Sequence, residues 1–344
     1  MESPQKLLPT TVVGSHALPS WLWLARDALA AGKLGPTDIE ETLRDATRIA
    51  IDDQLTAGVD IISDGEMRRV NFIIGFYARL EGLEPLPAPR RVGAPHWDTE
   101  TPFAAHAKLK APGGLGIVQD FRLAREMTKR PLKATCPGPL TLALPIRRGK
   151  AYRSEDTLLA DLVRIVNAEL KALVAAGADF IQIDEPHFAM HRSSDPKRLV
   201  EVFNAAVQGV KAKLALHVCF GNLNGRPFAA PRSYERLFPH ILGAKCSQLV
   251  LEYASREMSE IDLFARHHTD KELGVGVIDV KAFRPEAPED VAARLRKALH
   301  HVEPDKLYVN PDCGFWATPR WSCVRKLHAM AEGARIVRQE LTGG

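Results

Sequence analysis

The stretch Leu214-Ala-Leu-His-Val-Cys-Phe-Gly-Asn222 predicts a short apolar strand that ends in a His-x-Cys pair and breaks at Gly221. Side chains two residues apart in a strand point to the same side, so His217 and Cys219 place an imidazole beside a thiol at the strand's end. These are two side chains that zinc prefers as ligands. A buried strand also carries single His and Cys residues for packing, and the pair alone fits that structural role equally well.

Outward from this strand, eight short β-rich runs alternate with mostly helical segments. The β-rich runs are 8–15, 59–63, 132–136, 179–183, 213–219, 248–251, 274–278 and 306–309. The helical segments are 36–57, 155–176, 196–211, 257–267, 287–301 and 319–340. Alternation of this kind predicts parallel strands joined by crossover helices, and eight such units predict an α/β fold of the closed (β/α)8 TIM-barrel type.

The segment from about residue 73 to residue 130 interrupts this alternation. It is rich in proline between 85 and 95 and has too little apolar periodicity to hold a core of its own. We therefore predict an irregular insertion after the second strand, with a helix near 72–83 and a hairpin around 105–118. Residues 1–344 then form a single barrel domain that carries this insertion.

The composition is that of an ordinary globular chain, with 344 residues, 45% hydrophobic, 26% charged and a net charge of +4. Lysine and arginine are mixed with the acidic residues, so we expect no nucleic-acid partner. No apolar run approaches the ~20 residues of a membrane helix and no export signal precedes the first strand, so we expect no membrane association. Nothing in the composition predicts an oligomeric state.

Five widely spaced cysteines, an odd number, argue against a disulfide framework and for a reducing compartment. They are Cys136, Cys219, Cys246, Cys313 and Cys323. Together with the missing export signal, they predict a cytoplasmic protein. We expect Cys136, Cys246 and Cys323 to be structural, whereas the other two lie in polar motifs and are candidate ligands.

Most of the unusual polar side chains stand directly after a predicted strand. They are Ser15, Asp64, Glu66, Asp184, Glu185, His217, Cys219, Glu252, Asp279, Lys281, Asp312 and Cys313. In a (β/α)8 barrel the carboxyl ends of the strands converge on one mouth, where active sites are found. These residues are therefore expected to meet at one end of the molecule.

Four of these side chains can form a metal site at that mouth. His217 and Cys219 end the fifth run, Glu252 follows the sixth and Cys313 follows the eighth. Two thiolates, an imidazole and a carboxylate form a ligand set that suits Zn²⁺, with the carboxylate as the exchangeable member. Each of the four, taken singly, also fits an ordinary packed or strand-end position.

The motifs at these strand ends resemble those of the cobalamin-independent methionine synthase family, specifically its C-terminal catalytic barrel. They occur in the family's order across residues 8–340, as Val13-Gly-Ser15, Asp64-Gly-Glu66, Cys136-Pro-Gly-Pro-Leu-Thr141, Ile181-Gln-Ile-Asp-Glu-Pro186, His217-Val-Cys219, Leu251-Glu252, Gly276-Val-Ile-Asp279 and Asn310-Pro-Asp-Cys-Gly314. Full-length family members carry an additional N-terminal barrel, so the resemblance is to the short, core-only members.

The resemblance implies a function and a set of roles. It implies Zn²⁺ on His217, Cys219, Glu252 and Cys313, and an amino-acid thiol held by Ser15, Glu66 and Asp184. In the family, zinc binds the thiol of homocysteine as a thiolate, which takes a methyl group from a folate. A free thiol has a pKa of ~8.5 and is mostly protonated near neutrality, so coordination supplies the reactive form. We therefore expect a zinc-dependent S-methyltransferase whose partners are a small-molecule thiol and a methyl donor.

One departure from the family concerns the methyl donor. The family has Asp-x-His at the end of the seventh strand, where the histidine is thought to protonate the departing folate. Here the residues are Asp279-Val-Lys281, which we assign as the catalytic pair. A lysine with its ordinary pKa of ~10.4 is a poorer acid near neutrality than histidine.

This departure leaves several alternatives open. The same metal site could alkylate another thiol or use another electrophile, such as an epoxide or a corrinoid methyl donor, and a separate protein could deliver the methyl group. A metal-free enzyme resembling uroporphyrinogen decarboxylase and a non-catalytic zinc or thiol binder are weaker alternatives. The His-x-Cys pair with Glu252 and Cys313 speaks against the metal-free enzyme, which needs no such set.

Overall fold

The structure, a computed structural model, describes residues 6–69, 74–87, 102–190, 195–221 and 232–343. Its strands are β1 (Glu81–Pro85), β2 (Phe103–Lys110), β3 (Ala134–Pro137), β4 (Ile146–Arg147), β5 (Phe180–Asp184), β6 (Lys213–Val218), β7 (Gln248–Leu251), β8 (Glu272–Ile278) and β9 (Leu307–Pro311). Its α-helices are α1 (Ser20–Ala30), α2 (Pro36–Thr56), α3 (Ile74–Tyr77), α4 (Ile117–Met127), α5 (Pro139–Ala143), α6 (Glu155–Ala175), α7 (His187–Met190), α8 (Pro196–Ala206), α9 (Leu263–His267), α10 (Pro288–Leu299) and α11 (Arg320–Thr342).

Eight parallel segments form a closed ring. Six strands make one parallel sheet in the order β3-β5-β6-β7-β8-β9. The two edges of this sheet are joined through single parallel bridges between Thr10 and Val309, Thr11 and Ile61, and Ile62 and Leu132. The ring confirms the predicted (β/α)8 barrel, and helices α10, α11, α2, α4, α6 and α8 pack in that order side by side around it.

The first two barrel strands are shorter than the predicted 8–15 and 59–63, because only two residues of each take part in bridges. Asp60 gives a physical reason. Its Oδ2 accepts hydrogen bonds from the backbone N–H of Thr10 at 2.9 Å and from the Thr10 hydroxyl at 2.9 Å. A backbone donor that binds a side chain is not available to a strand ladder, so regular pairing is interrupted.

Four predicted helices are confirmed within two residues at either end. They are 36–57, 155–176, 287–301 and 319–340, observed as α2, α6, α10 and α11. The predicted helix 257–267 is wrong over its first half, since only Leu263–His267 is α-helical. Glu257, Met258 and Glu260 have φ angles of 53°, 64° and 65°, which a right-handed helix excludes. Within the described residues, no helix combines the length and apolar character needed to cross a bilayer.

The segment after the second barrel strand is more regular than predicted. β1 and β2 form an antiparallel hairpin, which lies earlier than the predicted 105–118, and β2 also pairs in parallel with β4. In the described part of 72–83, the helix covers only Ile74–Tyr77 and a strand follows it. The sequence of β2, Phe-Ala-Ala-His-Ala-Lys-Leu-Lys, has no β-branched residue, which explains its weak strand signal.

The predicted insertion limit of about 130 also differs from the structure. α4 packs against α2, α6 and β3 as a crossover helix, so the barrel repeat resumes at Ile117. Residues 88–101 of the insertion lie outside the described residues. The assignment of residues 1–344 to one domain stays a prediction.

Alternate residues of the barrel strands face the barrel interior. These inward side chains are apolar at one end of the barrel and polar at the other. Val13, Phe180, Ala215 and Val250 form a small apolar cluster. Successive side chains two residues apart share a face, so Phe180 is followed toward the carboxyl end of β5 by Gln182 and Asp184. The interior thus becomes polar toward the mouth of the barrel.

Glu169, on α6, fixes the start of α4 and provides a test of this part of the fold. Its buried carboxylate accepts hydrogen bonds from the backbone N–H groups of Leu115 (2.7 Å), Ile117 (2.9 Å) and Val118 (3.3 Å). Glu169→Ala leaves these donors without that partner, so we expect the free energy of unfolding, measured by urea denaturation, to fall by about 2–3 kcal/mol. Glu201→Ala on the exposed face of α8 is the control, with an expected change below about 0.5 kcal/mol. Equal losses in the two variants would contradict the assignment.

Candidate active site

The register of the parallel strands brings the expected site residues to one end of the barrel. β5 and β6 pair so that Asp184 lies opposite His217. Glu252 directly follows β7, and Cys313 follows β9 by two residues. Because these strands all run in the same direction, their carboxyl ends share one mouth.

Three of the four expected ligands meet in one group. The ligand atoms of His217, Cys219 and Cys313 all lie within 4.8 Å of one another, and the two sulfur atoms are 3.4 Å apart. Among the described residues, Nε2 of His217 is buried and has no hydrogen-bond partner. A buried nitrogen without a partner is costly unless something binds it, and an imidazole beside two thiols is the ligand type that Zn²⁺ selects. The residues therefore fit a zinc ion.

Asp184 orients the imidazole of His217. Its Oδ1 lies 2.8 Å from Nδ1 of the ring, and both side chains are buried. A carboxylate only accepts, so Nδ1 carries the hydrogen and Nε2 keeps its lone pair for another partner. Burial lowers the pKa of His217, but the hydrogen bond and the charge of Asp184 outweigh that effect, and the pKa is raised overall. Carboxylates that hold a histidine in this way are common behind metal ligands.

Asp184 is in turn held from inside the barrel by residues that sequence reasoning did not assign. Nε2 of Gln182 donates to Oδ1 of Asp184 at 2.7 Å and to the carbonyl oxygen of Val13 at 2.6 Å. Its Oε1 accepts from Nζ of Lys133 at 2.7 Å. Burial lowers the pKa of Lys133 to about 7, although Asp184 and Glu66 raise it. The signal for this role in the sequence was Gln182 itself, a polar residue at an inward position of an otherwise apolar strand.

The thiols of Cys219 and Cys313 are hydrogen-bonded to each other. The hydrogen bond from Cys219 lowers the pKa of the Cys313 thiol to about 7, helped by the nearby His217 and Lys281 and opposed by burial. The same hydrogen bond and burial raise the pKa of Cys219 well above its ordinary value. One thiolate is therefore readily available at neutral pH, as a cation site requires.

Glu252, the fourth expected ligand, has other partners. In the described part of the chain it does not belong to the group of His217 and the two cysteines. Its Oε1 accepts from Nζ of Lys281 at 2.7 Å and from the hydroxyl of Ser255 at 2.7 Å. Its Oε2 accepts from the backbone N–H of Phe220 at 3.1 Å, and the side chain is fully buried.

Lys281 of the expected catalytic pair lies beside Glu252. Oδ1 of Asp279 accepts from the backbone N–H of Lys281 at 2.8 Å, which fixes the turn after β8. Burial lowers the pKa of Lys281, but Glu252, Asp312 and Cys313 raise it, and the net direction is upward.

Sequence reasoning gave Asp312 no role, yet its carboxylate accepts backbone hydrogen bonds from residues 253, 254 and 255 at 2.9, 2.8 and 2.7 Å. Asp312 thus holds the loop that begins with Glu252.

Two of the expected substrate-binding residues follow the first two barrel strands. Ser15 touches the Cys313 loop, since a Cβ added at Gly314 would lie 2.1 Å from its Oγ. Glu66 has a left-handed φ of 56°, and its Oε1 lies 2.7 Å from the hydroxyl of Thr135 and 2.8 Å from Nη1 of Arg69. Burial raises the pKa of Glu66 to about 7, with Arg69 opposing the shift. The assignments of Ser15, Glu66 and Asp184 to substrate stay predictions.

Substitutions of Asp184 distinguish two roles of this residue, which are to orient the proposed metal ligand His217 and to contact the substrate. Asp184→Ala removes the acceptor that orients His217, so we expect zinc affinity, measured by competition with a chelating dye, to fall about 10–100-fold. Asp184→Asn keeps an acceptor oxygen and should lose less. If Asp184 contacted only the substrate, zinc affinity would be the same in both variants and in the unchanged protein.

Comparison with known proteins agrees with this geometry. A family model described as "Cobalamin-independent synthase, Catalytic domain" matches residues 8–336. A methionine synthase of Saccharolobus solfataricus is 35% identical over 337 residues, covering 97% of this chain and 96% of the relative. A methionine synthase of Thermococcus kodakarensis is 37% identical over 342 residues, covering 99% of this chain and 96% of the relative.

Solved structures show the same fold. The structure of a B12-independent methionine synthase from Shewanella sp. W3-18-1, in complex with selenomethionine, has a TM-score of 0.84 at 29% identity and covers 98% of this chain and 100% of that chain. A putative vitamin-B12 independent methionine synthase from Listeria monocytogenes has a TM-score of 0.70 at 18% identity, covers 95% of this chain and 96% of that chain, and supports the fold alone. With the family match over most of its length and relatives above a third identical, the chain belongs to the cobalamin-independent methionine synthase family.

Proposed function

We propose that the protein is a zinc-dependent methyltransferase that methylates the thiol of homocysteine to give methionine. Membership of the methionine synthase family supports the methyl transfer. The observation that carries the zinc dependence is the buried Nε2 of His217, which has no partner among the described residues although the histidine lies in one group with two thiols. All five cysteines are free thiols, which suits the reducing cytoplasm that we propose as its compartment.

His217, Cys219 and Cys313 would hold the zinc ion, and Glu252 is the candidate fourth ligand. A bound Zn²⁺ would supply the positive charge that deprotonates the substrate thiol and keeps it nucleophilic at neutral pH. Asp184, held by Gln182, keeps the imidazole in the tautomer whose Nε2 is free to bind the metal. Binding of the metal by both cysteines would require both thiols to lose their protons, so zinc affinity is expected to rise with pH.

Glu66 and Asp184 are proposed to bind the ammonium group of the amino acid, with Ser15 as a further polar contact. Burial raises the pKa of Glu66 to about 7, and the charge of a bound ammonium group would favour its carboxylate form. The selenomethionine bound in the Shewanella relative is an amino acid of the same class as the product proposed here.

The surroundings of Lys281 favour a particular class of methyl donor. A methyl folate leaves as an amine anion that must take a proton, and an opened epoxide must also be protonated. Lys281 is bound to Glu252 and its pKa is raised, so it releases a proton less readily near neutrality. A methyl-corrinoid donor needs no proton on its leaving group, and we propose it as the alternative to folate, free or carried by a donor protein. Asp279 and Lys281 remain the proposed catalytic pair on the donor side.

Zinc content tests the proposed function directly. We expect about one Zn²⁺ per purified chain and loss of both zinc and homocysteine methylation in Cys219→Ala and in Cys313→Ala, since each removes a thiolate ligand. Cys246→Ala, which changes a cysteine outside the group, is the matched control and should keep its zinc. Zinc that survives both ligand substitutions, or methylation by a zinc-free protein, would contradict the proposal.

The donor is tested by comparing methylcobalamin with N5-methyltetrahydrofolate as the source of the methyl group for homocysteine. We expect the unchanged protein to turn over faster with methylcobalamin. Lys281→His restores a proton donor of ordinary pKa ~6.5, so it should raise the folate rate by about tenfold or more. Lys297→His on the exposed face of α10 should leave both rates unchanged. A folate rate that falls in Lys281→His would refute the role given to this position.

A further inference from the structure

Lys133 is a buried lysine whose charge plays no part in the proposed function. It directly precedes β3 and is 1% exposed. Within the described part of the chain, its one hydrogen bond runs from Nζ to Oε1 of Gln182 at 2.7 Å, and Nζ lies 5.5 Å from the centre of the Phe180 ring. The acceptor is a neutral amide, so the ammonium group has lost its hydration without gaining a hydrogen-bonded carboxylate. Burial of this kind disfavours the charged form of a lysine.

The carboxylates that act on Lys133 are the two that are proposed to bind the substrate. Nε2 of Gln182 donates to Oδ1 of Asp184 at 2.7 Å, so a single amide separates Lys133 from Asp184. Glu66 accepts a hydrogen bond of 2.7 Å from the hydroxyl of Thr135, which lines the same small cavity as Lys133. Burial lowers the pKa of Lys133 to about 7, and the negative charges of Asp184 and Glu66 oppose the shift. The charge of Lys133 therefore depends on the state of the substrate site.

The other charged groups around Lys133 do not replace these two carboxylates. Lys213 of β6 lies 5.3 Å from the centre of the Phe180 ring, and its charge lowers the pKa of Lys133 further. Lys213 is itself paired with Glu272 at 2.6 Å. Asp64 and Arg69 line the cavity beside Lys133, which has a volume of about 10 Å³. A polar cavity of that size has room for about one water molecule.

We propose that Lys133 is a positioning residue of the amino-acid site, whose ammonium group balances the charge of Glu66 and Asp184 in the empty protein and releases its proton when the ammonium group of the substrate binds there. This inference rests on the proposed function and deepens it, since it concerns the same two carboxylates. A second cation beside these carboxylates disfavours the charge of the first. One positive charge enters the site and one proton leaves Lys133 for the solvent, so the net charge of the site is unchanged.

The exchange leaves the geometry of the site in place and makes it selective. A neutral lysine amine still donates a hydrogen bond to Oε1 of Gln182, so Gln182 continues to donate to Asp184. A thiol without an amino group brings no positive charge to the carboxylates, and Lys133 then keeps its proton. The site therefore distinguishes amino-acid thiols from other thiols by the charge that they carry.

The ¹³C NMR signals of the zinc-loaded protein, labelled at Cε of lysine, report the charge of Lys133 without using activity. We expect one lysine signal that titrates near pH 7, is absent from Lys133→Met and remains in Lys297→Met, a change on the exposed face of α10. Saturating methionine should lower the midpoint of this titration by about one pH unit or more. The desamino analogue of methionine, which has no ammonium group, should leave the midpoint in place.

Two results would overturn the inference. One is a signal, assigned through Lys133→Met or through Lys133→Gln if the first variant does not fold, that shows no titration between about pH 6 and about pH 9 in the empty protein. The other is a midpoint that methionine leaves unchanged or that the desamino analogue lowers equally. If the unchanged protein binds zinc and methionine and methylates homocysteine, either result refutes this inference alone. An unchanged protein that binds neither zinc nor methionine refutes the proposed function with it.

Discussion

Asp184 and His217 are neighbours because β5 and β6 pair in parallel with these two residues in register, and the 2.8 Å hydrogen bond between them fixes the imidazole. The rest of the site follows from that contact. His217 lies in one group with the two thiols, and Gln182 holds Asp184 from the interior of the barrel. A one-residue slip between the strands would point either side chain away from the barrel interior, so the chemistry depends on the register of the sheet.

Strand ends were the part of the fold that sequence reasoning located best. Apolar runs such as 248–251 mark the barrel strands independently of any site residue, and the ligands then follow at their carboxyl ends. The strand and helix limits that were predicted wrongly have local causes. Asp60 takes the N–H of Thr10 and shortens the first strand, and positive φ angles at residues such as Glu257 break a helix whose apolar spacing is correct. Periodicity carries no information about either effect.

The sequence predicted where the site residues lie better than it predicted which side chains they contact. The sequence placed Glu252 and Lys281 at adjacent strand ends, but it could not show that their side chains meet at 2.7 Å, because that contact depends on the packing of the two loops. Lys133 was overlooked for a similar reason, since its role appears only when Gln182 of the neighbouring strand is placed beside it. The polar interior of the barrel emerges from pairs of residues that are far apart in sequence and have no shared motif.

The central claim is that His217 and the two cysteines hold a zinc ion that receives the substrate thiol. Zinc X-ray absorption of the purified protein, before and after addition of homocysteine, tests it most directly. The account predicts one imidazole and the two sulfur ligands of Cys219 and Cys313 in the resting protein, and a third sulfur ligand once homocysteine is present. A sulfur count that does not rise with homocysteine, or a zinc ion with no sulfur ligands, would contradict it.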